Sequence, residues 1–204
     1  PLRLNSTYYG GVIDTNDNEA RSYMYAGKWI KQDETDPSVP LGAGGIVSNP
    51  IDLVKFSYLL FSGKILKEES LKKMKKINGQ FALGLFGIPF YNKNGFGHTG
   101  GIDGFSSVFS AFTDDDIYYA LNSNGTNFNN NDISIAVLSE VFDKPYKIPV
   151  FSNFEVNHRD LMKLIGSYSS KQIPLIIQVS VENNFLIIQA TGQPKISLDA
   201  IEKN

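Results

Sequence analysis

The residues best suited to chemistry cluster in one stretch, Phe96-Gly97-His98-Thr99-Gly100-Gly101-Ile102-Asp103-Gly104-Phe105-Ser106-Ser107. It reads as a strand that ends in an imidazole and a hydroxyl and continues into small residues. Gly100 and Gly101 put no Cβ on the strand edge, so a second molecule can approach the backbone closely. Unpaired N–H groups on such an edge can bond an extended substrate or hold an oxyanion. The plainer alternative is a glycine-rich bend around one structural histidine.

Other chemistries are excluded or weak. The 204 residues contain no cysteine, which removes disulfides, thiolate metal sites and cysteine nucleophiles. With two histidines, His98 and His158, a histidine-rich metal site is also out of reach. His158 lies in the polar run Asn157-His158-Arg159-Asp160 and reads as solvated. The net charge of −2 offers no global basic field to nucleic acid or anionic lipid. The lysines between Lys67 and Lys76 are interrupted by Glu68 and Glu69 and carry no interleaved aromatic, the pattern of a solvated helix face. Asp114-Asp115-Asp116 reads as a hairpin tip, because the spacing lacks a full calcium-ligand loop. No apolar run approaches the ~18 residues of a membrane span.

The elements that must position the stretch are legible from periodicity. Residues 1–45 read as irregular chain with short strands near 22–25 and 28–30, closed by a tight turn at Gly42-Ala43-Gly44-Gly45. A helix starts at Ser48 or Asn49 with Pro50 in its first turn, carries an apolar stripe from Ile51 to Phe61, and ends at Gly63. A second, basic helix is expected over 68–77. From Gln80 the period changes to that of strands, over 81–86, 95–99, 105–113 and 117–122, an antiparallel meander. A helix capped within 129–132 runs to Phe142. Pro145 and Pro149 mark a linker, with a domain boundary near Val150. Four further strands are expected over 164–168, 175–181, 185–190 and 195–198, with a hairpin turn at Glu182-Asn183-Asn184.

The order of these segments resembles the serine β-lactamase and penicillin-binding protein superfamily, in particular its class C, D-aminopeptidase and esterase branch. Pro1-Leu2-Arg3-Leu4-Asn5-Ser6-Thr7 resembles the Pro-Leu-Gly-Met-x-x-Thr stretch behind that family's second motif. Residues 42–52 resemble its Ala-Gly-Gly-Leu-x-Ser-x-x-x-Asp-Leu turn and helix, and Phe81-Ala82-Leu83-Gly84 its Tyr-Gly-Leu-Gly strand. His98-Thr99-Gly100-Gly101 matches the third active-site motif, Lys-Thr-Gly or His-x-Gly, and Leu121-Asn122-Ser123-Asn124 resembles the strand end with its asparagine. The tail from Leu164, with Gly166-x-Tyr168 and Gly192-Gln193-Pro194, resembles the lipocalin-like appendage often fused behind such hydrolases.

The resemblance implies an α+β fold, an antiparallel sheet flanked by helices, followed by a small all-β segment. Residues 1–149 would be the C-terminal part of the hydrolase domain and 150–204 an incomplete β-rich appendage. It implies acyl-serine chemistry on a peptide, ester, amide or β-lactam, with no cofactor or metal. His98, Thr99 and Gly101 would be catalytic, Gly101 supplying one oxyanion N–H, while Gly100, Asp103 and Asn122 would line the substrate. The aromatics Tyr8, Tyr9, Tyr23, Tyr25 and Trp29 would either rim the cleft or pack. The expected partners are a small-molecule or peptide substrate and the remainder of the same domain, with no nucleic acid. The family is usually exported, to the periplasm, cell envelope or medium.

That chemistry also needs Ser-x-x-Lys and Tyr-x-Asn or Ser-x-Asn. The chain holds no Tyr-x-Asn and no Ser-x-Asn, and its one Ser-x-x-Lys is Ser70-Leu71-Lys72-Lys73 on the basic helix. A working nucleophile needs a desolvated base with a depressed pKa, which a lysine among Lys72, Lys75 and Lys76 on an exposed helix does not provide. The two missing motifs are therefore expected upstream of Pro1, and this chain alone is expected to be inactive. The alternative is a non-catalytic relative that binds a ligand at His98, Thr99, Gly100 and Gly101. A histidine in the lysine position is mostly neutral at pH 7, since the side chain titrates near ~6.5. That favours an esterase, peptidase or amidase over an efficient β-lactamase.

Overall fold

The computed structural model describes residues 2–25, 27–125, 127–148, 156–172, 174–193, 195–198 and 200. The expected boundary at Val150, the linker proline Pro149, the motif residues Pro1 and Pro194 and the terminal Asn204 lie outside the described residues. In chain order the elements are β1 (Tyr8–Tyr9), β2 (Tyr23–Tyr25), β3 (Trp29–Lys31), α1 (Leu41–Gly44), β4 (Ile46–Val47), α2 (Pro50–Phe61), α3 (Glu68–Met74), β5 (Phe86–Phe90), β6 (Lys93–Ile102), β7 (Phe105–Phe112) and β8 (Ile117–Ser123). They continue with α4 (Asn130–Val141), α5 (His158–Leu161), β9 (Gly166–Ser169), β10 (Ile176–Glu182), β11 (Phe185–Ala190) and β12 (Lys195–Leu198). Two units form, residues 1–20 with 34–123, and residues 21–33 with 124–204.

The first unit is built on the antiparallel sheet β5-β6-β7-β8. Its centre is β7, where Ser110, Ala111 and Phe112 are buried in succession, as a strand covered on both faces requires. Phe112 is fully buried, and Gly95 on β6 makes room for it: a Cβ there would lie 2.9 Å from the Phe112 ring. Helix α2 packs on β7 and β8, with Tyr58 edge-on to Tyr118 at 5.4 Å and Phe61 against Phe96 at 6.0 Å. Burial, then the charge of Asp116 and the neighbouring Tyr58, hold the Tyr118 hydroxyl above the usual tyrosine pKa. The ammonium of Lys75 sits 4.7 Å from the Phe96 ring centre, its stem covering apolar surface.

The start of α2 follows the expected chemistry. Asn49 accepts the Asp52 N–H at 2.8 Å and Pro50 occupies the first turn. Asp52 is buried, and its carboxylate accepts the Ser6 N–H at 2.7 Å and the Thr7 hydroxyl at 3.0 Å. Thr7 also shares a hydrogen bond with the Ser48 hydroxyl at 2.9 Å, so one carboxylate ties the first residues of the chain to the helix N-terminus. Replacing Asp52 by alanine leaves those donors unsatisfied and is expected to cost about 1–3 kcal/mol of folding free energy. Denaturant titration checks this, with Asp52→Asn, which keeps an acceptor, losing less.

Three sequence expectations shift. The turn over 42–45 is one helical turn, α1. Helix α3 stops at Met74 instead of Ile77, because Ile77 is drawn against Gly87 and the chain folds into a bridge between Asn78 and Phe81. The strand expected over 81–86 does not form as such. Gly84 at φ +66 reverses the chain, so Leu85 turns into the core, Phe81 and Leu83 stay exposed, and pairing begins at Phe86. Pro89 is accommodated within β5 because β5 is an edge strand. The acidic tip is a turn between β7 and β8, with Asp115 paired to Lys93.

In the second unit β2 and β3 form a hairpin, and β12-β11-β10-β9 a four-stranded antiparallel meander around the buried Ile187. Asn183 and Asn184, at φ 50 and 66, make a two-residue hairpin turn. Beyond it, the Phe185 ring packs edge-on against Tyr25 at 5.8 Å and against Gly27, where a Cβ would come within 2.5 Å of that ring. Helix α4 is capped by Asn129, which accepts the Asn131 N–H. His158 begins the single turn α5, exposed, with Nδ1 at 3.0 Å from the Asn184 amide oxygen.

Candidate active site

The hairpin of β6 and β7 sets the geometry. Asp103 and Gly104 form its two-residue loop, with Asp103 at φ 53, and Ile102 faces Phe105. In such a hairpin the closing pair exchanges both backbone hydrogen bonds, and the alternation follows along the ladder. Ile102, Gly100 and His98 therefore bond to β7, while Thr99 and Gly101 turn their N–H and C=O groups to the opposite edge. There β5 reaches only as far as Phe86, opposite Gly97. From His98 to Ile102 that edge of β6 has no strand partner among the described residues.

The glycines are of unequal kind. A Cβ on Gly97 would lie 2.1 Å from the Phe109 carbonyl oxygen, and one on Gly100 would lie 2.6 Å from the Ser107 hydroxyl. Gly97 is closed to larger residues by the backbone of β7, whereas at Gly100 a rotation of the Ser107 hydroxyl would relieve the contact. At Gly101 the nearest atom to a Cβ is the Phe105 oxygen at 3.8 Å, so packing does not demand glycine there.

His98 is half-buried. Its ring stacks on Phe86 with centroids 4.3 Å apart and planes at 24°, and its Nδ1 lies 2.5 Å from the Thr99 carbonyl oxygen. Thr99, Gly100 and Gly101 are exposed along the same edge. Asn122 lies in the cross-strand row Gly100–Ser107–Asn122. Its amide donates to the Ser48 carbonyl at 3.4 Å, and its buried Oδ1 has no hydrogen-bond partner among the described residues. Asp103 is on the same hairpin, but its carboxylate accepts the Thr35 N–H at 3.1 Å and the Thr35 hydroxyl at 2.5 Å. It thus ties the chain at residue 35 to the hairpin tip. Phe86 and Ser107 are neighbours of the motif that residue type alone did not single out; the register across the Asp103-Gly104 turn places Ser107 opposite Gly100.

The lone Ser-x-x-Lys is elsewhere, on α3. Ser70 is exposed, and Lys73 and Lys72 are paired to Glu69 and Glu68 at 2.8 and 2.7 Å with all four side chains more than two-thirds exposed. The hydrogen bond and charge of Lys72 hold the Glu68 carboxyl below its ordinary pKa. A solvated, ion-paired lysine is not the desolvated base a serine nucleophile needs.

A glycine-lined sheet edge begins at His98 and Thr99, and helix α2 packs on the same sheet. The Beta-lactamase family model matches residues 1–140, and the chain belongs to that family, within the serine β-lactamase and penicillin-binding protein superfamily of serine hydrolases. Solved structures agree in fold. The octameric penicillin-binding protein homologue from Pyrococcus abyssi aligns with TM-score 0.57 and 19% identity over 100% of this chain and 49% of its own. The D-amino acid amidase from Ochrobactrum anthropi SV3, complexed with D-phenylalanine, aligns with TM-score 0.54 and 26% identity over 70% of this chain and 50% of its own. A D-stereospecific amidohydrolase from Streptomyces sp. aligns with TM-score 0.52 and 26% identity over 61% and 41%. The chain thus spans about half the length of these relatives or less. No curated protein matches it. No helix among the described residues is long and apolar enough to cross a membrane.

Proposed function

We propose that this chain supplies the third-motif edge of a serine hydrolase that acylates its serine with an amide, peptide or ester and then releases the acyl group to water. The serine and its base would come from Ser-x-x-Lys and Tyr-x-Asn segments outside these residues. The serine oxygen bonds to the substrate carbonyl carbon, the amine or alcohol leaves with a proton, and water later breaks the acyl-serine ester. Gly101 supplies one backbone N–H to the oxyanion, and the Thr99 hydroxyl holds a polar group of the substrate. Gly100 and Asn122 line the floor of the cleft. The segment from residue 150 is the β-rich appendage, and the protein is exported.

The observation that carries this reading is the edge of β6 beyond Gly97, which has no strand partner among the described residues and toward which the backbone of Thr99 and Gly101 turns. The names of the amidase and amidohydrolase relatives favour an amide substrate with a D-configured residue. A histidine in place of lysine puts no permanent cation at the edge, which favours acyl donors without the carboxylate of a β-lactam. The lone Ser-x-x-Lys, exposed on α3, favours a second reading, a non-catalytic relative that binds ligand at the same edge. Expression of the complete open reading frame and reaction with a fluorophosphonate or fluorescent penicillin separates the two. A serine adduct supports the hydrolase. No adduct, with ligand binding that depends on His98 and Thr99, supports the binding protein.

A further inference from the structure

Phe86 is the last paired residue of β5, standing where the open edge of β6 begins. Its ring meets Phe81 edge-on at 5.4 Å and 76° and stacks on His98 at 4.3 Å and 24°. In the same arrangement His98 Nδ1 lies 2.5 Å from the Thr99 carbonyl oxygen. A carbonyl oxygen only accepts, so Nδ1 must carry a proton in this contact. In the neutral ring Nε2 is then a lone-pair acceptor, and it has no hydrogen-bond partner among the described residues. We propose that Phe86 is a positioning residue that holds His98 as the neutral Nδ1–H tautomer, presenting Nε2 to the substrate cleft as an acceptor. This deepens the hydrolase reading and rests on it for its catalytic meaning, while the tautomer itself does not depend on turnover.

The consequence concerns which substrate groups the motif recognises. A lysine in this place would be a cation that pairs with a carboxylate. An Nε2 lone pair instead accepts a hydrogen bond from an N–H, O–H or ammonium donor, such as the free amino group of an amino acid amide. The same contact also caps the Thr99 carbonyl, which otherwise lies open on the edge. The backbone of Gly101 is then the part of the edge left for the acyl group.

Long-range nitrogen–proton NMR correlation on the histidine-labelled 204-residue chain tests this directly. The chain has two histidines, so the His158→Gln variant assigns both signals. At a pH where the ring is neutral, His98 is expected to show a protonated Nδ1 and a pyridine-type Nε2, the reverse of the preference of free histidine. Phe86→Leu is expected to shift the ring toward the Nε2–H form, and Phe86→Tyr, which keeps the stack, to retain Nδ1–H. If Phe86→Leu loses the dispersed spectrum of the folded chain, Phe86→Met takes its place with the same expectation. A wild-type ring predominantly in the Nε2–H form overturns the proposal, as does a Leu or Met variant whose tautomer is unchanged. Failure of the complete protein to acylate would overturn the hydrolase reading and leave the tautomer result standing.

Discussion

Truncating Phe112 to alanine is expected to lower the folding free energy of the first unit by about 3–5 kcal/mol. The ring is fully buried at the end of β7, edge-on to Phe90 with centroids 6.4 Å apart. Gly95 has no side chain where the ring sits, so it has none to swing in and fill the void. A cavity in a close-packed core loses both the transfer free energy and the contacts of its lining. Denaturation followed by far-ultraviolet circular dichroism and by amide exchange in β6 and β7 reads the loss. Trp29, the sole tryptophan, lies in the other unit, so its fluorescence is not the reporter. Phe112→Leu, which keeps much of the volume, is expected to lose less than alanine does. Equal losses for the two would contradict the packing argument.

Replacing Gly101 by proline in the complete protein is expected to slow acylation about 10²–10³-fold, the effect of removing one oxyanion donor. Proline deletes the one N–H proposed to face the reacting carbonyl. That N–H points away from β7, so no ladder bond to β7 is lost, and proline is tolerated at such edge positions. Gly101→Ala keeps the N–H and places a Cβ where the nearest atom is 3.8 Å away, so it is expected to retain most of the rate. Single-turnover acylation rates for the three proteins give the comparison. A proline variant that acylates like wild type would remove Gly101 from the oxyanion hole.

The chain made its local chemistry readable and hid what depends on distant partners. Asn49 and Pro50 announced the start of α2, Asn129 announced α4, and the Asn183-Asn184 turn announced the β10–β11 hairpin, because caps and turns are written in adjacent residues. Asp103-Gly104 closes a hairpin of the same kind, which the sequence reading did not single out, and it brings the third motif into register with Ser107. The apolar run over 81–86 misled because its pattern suits a strand, whereas Gly84 reverses the chain and Leu85 alone is taken into the core. The helix expected to reach Ile77 ends early because Ile77 finds Gly87, a partner ten residues on that periodicity does not contain. At the site, His98 and Thr99 were visible as residue types. The stack on Phe86 and the tie of Asp103 to Thr35 were not, since both join segments whose proximity only the folded sheet creates.

In the proposed function residues 98–101 form the edge of an acyl-serine site whose nucleophile is not Ser70. Reaction of the complete open reading frame with a fluorophosphonate, followed by peptide mapping of the adduct, tests it most directly. The expected result is a single adduct on a serine outside these 204 residues, within a Ser-x-x-Lys segment, and none on Ser70. An adduct on Ser70 would contradict the claim.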